Sequence, residues 1–119
     1  MCSSDLEKML RAALAADPRM APAAFNLAVI VGERKPAEAV PLARKAAALR
    51  PGDPRYAWTL GFYQARAGDL KGAAATLEAL LRAEPGYGDT YGLLADVYAR
   101  QGRTAEAAAL RQRRPAPAR

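Results

Sequence analysis

Between Pro54 and Pro85 the chain reads PRYAWTLGFYQARAGDLKGAAATLEALLRAEP: two amphipathic helices, a Gly68-Asp69 turn between them, and a closing proline. The rest of the sequence is this pattern copied, shortened or cut off. Upstream, Ala24, Leu27, Ala28 and Val31 stand at i, i+3, i+4 and i+7, one face of a helix over Ala21–Glu33. Ala39, Ala43 and Ala46 mark a second helix, Pro36–Leu49, with Pro36 as its first residue and Pro41 expected in its first turns, where a proline costs least. The breaker cluster Arg50-Pro51-Gly52-Asp53 follows. Pro54–Ala67 and Leu70–Ala83 repeat the plan, and Asp89–Gln101 and Thr104–Arg113 repeat it again around Gly102. At the start, Glu7–Asp17 carries Leu10, Ala13 and Leu14 on one face and is followed by Pro18, as a second helix without its first would be.

Spacing makes the repetition quantitative. Leu27, Leu60 and Leu94 are separated by 33 and 34 residues, Pro18, Pro51 and Pro85 by 33 and 34, and Ala39, Ala73 and Ala107 by 34 and 34. One residue is therefore missing between Ala28 and Ala39, and the Gly32–Pro36 turn is the place that can absorb it. A loss inside either helix would rotate its apolar face by about 100° and break the packing.

A period near 34 with this pattern resembles the tetratricopeptide repeat (TPR). Tyr91, Leu94, Ala95 and Tyr98 fit the family's first helix in the last copy; Leu60, Gly61, Gly68, Ala73, Leu77 and Pro85 fit the central one. The earliest full copy supplies Leu27, Ala28, Ala39 and Pro51. The resemblance implies an all-α solenoid of antiparallel helix hairpins, about seven helices in all. The expected organisation is a leader at 1–6, a half repeat at 7–20, repeats at 21–53, 54–87 and 88–114, and a basic Pro/Ala/Arg tail at 115–119. Three positions depart from the pattern: Gln64 stands where an apolar or aromatic residue is usual, and Ala43 and Arg111 replace a large apolar residue. Gln64 and Ala43 are expected to lower core volume, while Arg111 and Arg114 would give the last helix a polar outer face.

Cys2–Leu6 also reads as the translated end of a sequencing adapter, TGC TCT TCC GAT CT. Residues 1–6 are accordingly expected to be non-native and the natural chain to extend upstream; the alternative is an ordinary N-terminus with Ser4 or Asp5 capping a helix.

In the family the resemblance points to, first helices line a concave groove that holds a peptide. Helical spacing places Pro22, Phe25, Val29 and Glu33, then Arg55, Trp58, Phe62 and Arg66, then Asp89, Gly92, Asp96 and Arg100 along it. Trp58 and Phe62, four apart, would form an apolar anchor, or would instead pack between neighbouring helices. Arg55, Arg66 and Arg100 would pair with ligand carboxylates. Some members clamp a C-terminal carboxylate, and Asn26 suits that role, but Val29 and Phe62 stand where such a clamp needs polar groups.

Composition changes this picture in few places. The hydrophobic fraction of 51% is largely alanine with only 7% aromatics, which predicts close helix packing and modest stability. Of the net charge of +6, four units sit in Arg111–Arg119, so the body carries about +2 and no basic face for nucleic acid is expected. The tail arginines would meet phosphate or acidic protein, or stay solvated. With no histidine and one cysteine, the chain excludes histidine- or cysteine-based metal sites and an internal disulfide, and no cofactor is expected. No apolar run reaches the length of a membrane span, and alanine- and arginine-rich composition suits a GC-rich bacterial gene. No constellation of catalytic residues is present. The reading is a non-catalytic interaction module binding a protein or peptide. Its rivals are the TPR arm of a larger enzyme or multihaem cytochrome, and a structural unit that buries Trp58 and Phe62 by weak self-association.

Overall fold

The computed structural model describes residues 3–115. Seven α-helices follow one another: α1 (Ser3–Ala16), α2 (Ala21–Gly32), α3 (Pro36–Leu49), α4 (Pro54–Arg66), α5 (Leu70–Ala83), α6 (Asp89–Arg100) and α7 (Thr104–Arg113). Each helix packs on the next, and the first helices α4 and α6 also touch. The result is an α-solenoid of antiparallel hairpins, 45 × 29 × 24 Å, in which contact is mostly with the nearest neighbour in sequence. Among the described residues no strand occurs, and no helix is long and apolar enough to cross a membrane.

Equivalent residues hold equivalent places. Leu27, Leu60 and Leu94 are all buried, as are Ala39, Ala73 and Ala107 at the start of each second helix. Position by position, the small residues Ala28, Gly61 and Ala95 let the hairpin close. At Gly61 a Cβ would stand 2.8 Å from Leu77 Cδ2, so the bare backbone is what admits that leucine.

The register slip falls in a turn, as the spacing predicts. After α4 and α6 the chain reverses through Gly68 (φ 91°) and Gly102 (φ 82°). There the Asp69 and Arg103 amides donate back to the Gln64 and Tyr98 carbonyls at 2.9 and 2.8 Å, closing both helix ends with left-handed glycines. The turn after α2 has no such glycine. Instead Arg34 and Lys35 both donate to the Val31 carbonyl at 3.1 and 2.9 Å, and α2 ends one residue sooner than its counterparts. The apolar faces of α2 and α3 therefore keep their register.

Two details differ from the sequence expectations, the start of α1 and the tail arginines, and two others, Pro41 and Gln64, gain their physical explanation. Helix α1 begins at Ser3, not Glu7, so residues 3–6 of the expected leader form its first turn, while Met1 and Cys2 lie outside the described residues. Pro41 lies in the second turn of α3, which continues unbroken; Pro41 and Ala37 are both exposed, so the carbonyl that loses its partner is on the water side. Gln64 is buried yet satisfied, its Oε1 accepting a 2.7 Å hydrogen bond from Thr76 on α5. The tail arginines are not simply solvated: Arg111 pairs with Asp96 at 3.1 Å, Arg114 approaches Asp89 at 3.7 Å, and Arg113 lies 6.0 Å from the Tyr91 ring. Residues 116–119 of the tail lie outside the described residues.

Candidate functional site

A hollow of about 400 Å³ opens between α4 and α6, lined by Phe62, Ala65, Arg66, Leu93, Asp96, Val97, Ala99 and Arg100. It exists because both helices turn one face toward each other while α5 packs behind them. Leu93 and Val97, four apart on α6, supply one apolar wall, and Phe62 with Ala65 supplies the other. Four of the twelve residues expected on the groove, Phe62, Arg66, Asp96 and Arg100, thus line one hollow.

The aromatic pair on α4 is firmly placed. Trp58 stacks on Phe62 with centroids 5.3 Å apart and an interplanar angle of 13°, and Phe62 meets Tyr63 edge-on at 5.1 Å. The Trp58 indole N–H donates to the Asp89 carbonyl at 3.1 Å, which ties α4 to the start of α6. Trp58 therefore serves packing between helices, while Phe62 both packs and faces the hollow.

The arginines differ in what they hold. Arg55 is bound to Asp53, Nη2 donating to Oδ2 at 2.8 Å and Nε to Oδ1 at 3.1 Å. The Arg55 guanidinium holds the Asp53 carboxyl below its usual range, and Asp53 in turn raises Arg55. Asp53 also caps α4 by accepting the Arg55 amide at 3.0 Å, so this pair is spent on starting a helix. Arg100 donates from Nη1 to the Ala65 carbonyl at 3.2 Å, the last turn of α4. Arg66 rests 5.5 Å from the Phe62 centroid and, among the described residues, makes no ion pair.

Phe25 and Val29 lie elsewhere, on a second hollow of about 310 Å³ with Leu6, Leu10, Asn26 and Ile30, between α1 and α2. Phe25 also stacks on Tyr56 of α4 with centroids 4.8 Å apart. Glu78, Leu81, Arg82, Leu94, Tyr98 and Glu106 contribute to a further hollow of about 480 Å³ lined by α5, α6 and α7. Burial and the hydrogen bond that Tyr98 donates to Glu78 push this phenol up to about 12. The Arg103 guanidinium lies 3.9 Å from the Tyr98 centroid and grips Glu106 with two bonds of 2.7 and 2.8 Å, which lowers the Glu106 carboxyl.

Sequence reasoning missed the apolar walls Leu93, Val97, Ala65 and Ala99. The stripe drawn through Asp89, Gly92, Asp96 and Arg100 runs beside them; the i, i+4 pair Leu93–Val97 was the available signal. Among the described residues no group of histidine, cysteine or carboxylate side chains is arranged to hold a metal.

Stacked two-helix hairpins in one register, with small residues at the crossings and glycine at the turns, define a helical-repeat solenoid. The chain belongs to the tetratricopeptide repeat family: profiles described by that name match residues 31–87 and 64–119. No curated protein matches it in sequence. Among solved structures it is similar to MamA MSR-1 (22% identity, TM-score 0.81, covering 93% of this chain and 64% of that one). It is similar also to MamA AMB-1 (25%, TM-score 0.78, 90% and 64%). A third is YrrB, described as a TPR protein with an unusual peptide-binding site (20%, TM-score 0.85, 93% and 58%). The chain thus spans less than two thirds of the length of each of these relatives.

Proposed function

We propose that this chain is a non-catalytic protein-interaction scaffold whose first-helix side, at the α4–α6 hollow, receives a segment of a partner protein. The observation that carries the reading is the hollow itself: apolar walls on two packed helices with guanidinium groups at the rim. Helices that are already folded lose little entropy on binding, so most of the contact energy survives as affinity. The description of YrrB as a peptide-binding TPR protein supports looking for a peptide here as well. In this reading Phe62 is the anchor, Trp58 holds it in place, and Arg66, Asp96 and Arg100 set the polar contacts. Phe25 and Val29, on the separate α1–α2 hollow, and Arg55, held by Asp53, lie outside this contact.

Trp58 is the only tryptophan in the chain and stacks on Phe62, so its emission reports on the hollow. Twelve-residue peptides selected by display on the immobilised protein are expected to change Trp58 emission saturably. They are expected to lose binding to Ala99→Glu, which places a carboxylate at an exposed lining position without removing core packing. Peptides that bind Ala99→Glu as well as the parent protein would refute the assignment.

A further inference from the structure

We infer that the segment held between α4 and α6 is acidic: an apolar side chain enters the hollow and a neighbouring carboxylate side chain meets the guanidinium groups at its rim. The inference rests on the peptide-binding reading just given and adds the chemistry of the partner.

The walls ask for an apolar group. Phe62, Ala65, Leu93, Val97 and Ala99 offer carbon to whatever enters, and about 400 Å³ accommodates a leucine, methionine or phenylalanine side chain with room for its backbone. A free chain-terminal carboxylate would be stripped of water against these walls without donors to replace it. Asn26, the amide suited to a carboxylate clamp, lines the separate α1–α2 hollow instead.

The rim asks for negative charge. Arg66 is exposed, lies against the Phe62 ring, and among the described residues has no ionic partner. Arg100 has only the neutral Ala65 carbonyl, which takes one N–H of five and leaves its charge uncompensated. The one acid in the lining, Asp96, is already bonded to Arg111 at 3.1 Å. Two guanidinium groups therefore line this end of the hollow while its one carboxylate is engaged by Arg111 from outside the lining, an imbalance that an incoming acidic side chain corrects. Arg66 and Arg100 end their helices, and the carbonyls exposed at those C-termini keep the cations near the rim.

The decisive experiment uses display-selected twelve-residue peptides resynthesised with both ends blocked, acetylated and amidated, and titrated against the whole chain. The selected sequences are expected to carry Leu, Ile, Met or Phe within two positions of Asp or Glu. Replacing that acid by its amide should weaken binding about tenfold, and Arg66→Glu on the protein should do the same. A peptide with lysine at the acidic position should recover binding to Arg66→Glu. Because Arg66 is exposed, circular dichroism of that variant should match the parent.

Peptides that lose binding to Ala99→Glu but are neutral or basic, and are indifferent to Arg66→Glu, would overturn the acidic inference and leave the groove reading standing. The same holds if binding requires a free carboxyl terminus. If every selected peptide tolerates Ala99→Glu, the groove reading falls and the inference falls with it.

Discussion

The two ends of this solenoid share one register but are filled differently. From α4 onward a single core runs through Leu77, Leu80, Tyr91, Leu94, Val97, Tyr98 and Leu110. Before α4 there are two small clusters, Ala28, Ala39 and Ala43 with Leu60 and Tyr63, and Ala21, Ala24 and Ala46 with Tyr56. In both, the large side chains that are fully buried come from α4. The α2–α3 hairpin buries Leu27 and Val31 but is otherwise mostly alanine and is completed by α4, and among the described side chains of α1 none is fully buried, with Met9 61% exposed. A buried leucine contributes about 1.5–3 kcal/mol and an alanine methyl far less. Repeat identity therefore does not mean equal stability; α4 serves as the keystone for both halves, and the hollow is built on it.

The largest effect should come from Leu77→Ala in the continuous core. Leu77 is fully buried against Gly61, and its loss leaves a cavity worth about 3 kcal/mol in urea unfolding. Its counterpart one repeat earlier is already alanine, Ala43, where the space is taken up by α4 side chains. A loss below 1 kcal/mol would show that the two halves are not packed as differently as described.

Next comes Gly32→Ala at the seam between the halves. A Cβ there would lie 2.3 Å from Tyr63 Cε1, inside the ring's van der Waals surface, and should cost about 2 kcal/mol despite alanine's better helix propensity. The matched change Gly92→Ala meets nothing within 4 Å and should stabilise by about 0.5–1 kcal/mol. Equal signs at the two positions would contradict the tight seam.

A smaller gain is expected from Thr90→Val. The Thr90 hydroxyl is buried in the C-terminal half without a hydrogen-bond partner, and removing it while keeping its shape should stabilise by about 1 kcal/mol. A destabilised variant would mean that the hydroxyl is satisfied in solution.

The smallest effect is in pH. Tyr98 titrates at about 12 in the folded chain, above the ordinary phenol value of 10. The unfolded chain thus loses this proton first as pH rises, so the stability contributed by Tyr98 is complete below 10 and fades between 10 and 12. Tyr63 and Tyr87 are raised as well, chiefly by burial. Absorbance titration should find Tyr98→Phe lacking the last-ionising phenol, and a normal titration in the parent would contradict the burial of this phenol and its Glu78 contact.

The repeat was legible because its spacing is a property of backbone and small residues: Leu27, Leu60 and Leu94 had to recur, and the missing residue had to fall in a turn. Polar partners were not legible. Arginine reaches several ångströms in any direction from its Cα, so helical spacing placed Arg55 toward the groove while a carboxylate two residues away, Asp53, captured it. Gln64 reads in the sequence only as lost core volume, because the sequence does not show that Thr76 faces it across the hairpin. The apolar walls were passed over for a similar reason: a stripe drawn through one position per turn misses the residue beside it. Of the residues expected along a groove, Phe62, Arg66, Asp96 and Arg100 line one hollow, and Phe25 and Val29 line another.

Hydrogen exchange on the whole chain, with and without a display-selected peptide, tests the central claim directly, since it reads stability and footprint helix by helix. Exchange is expected to be slowest in α4, α5 and α6 and fastest in α1, with a peptide-induced slowing confined to α4 and α6. A most-protected α1–α3 hairpin, or a footprint on α5 and α7, would contradict that claim.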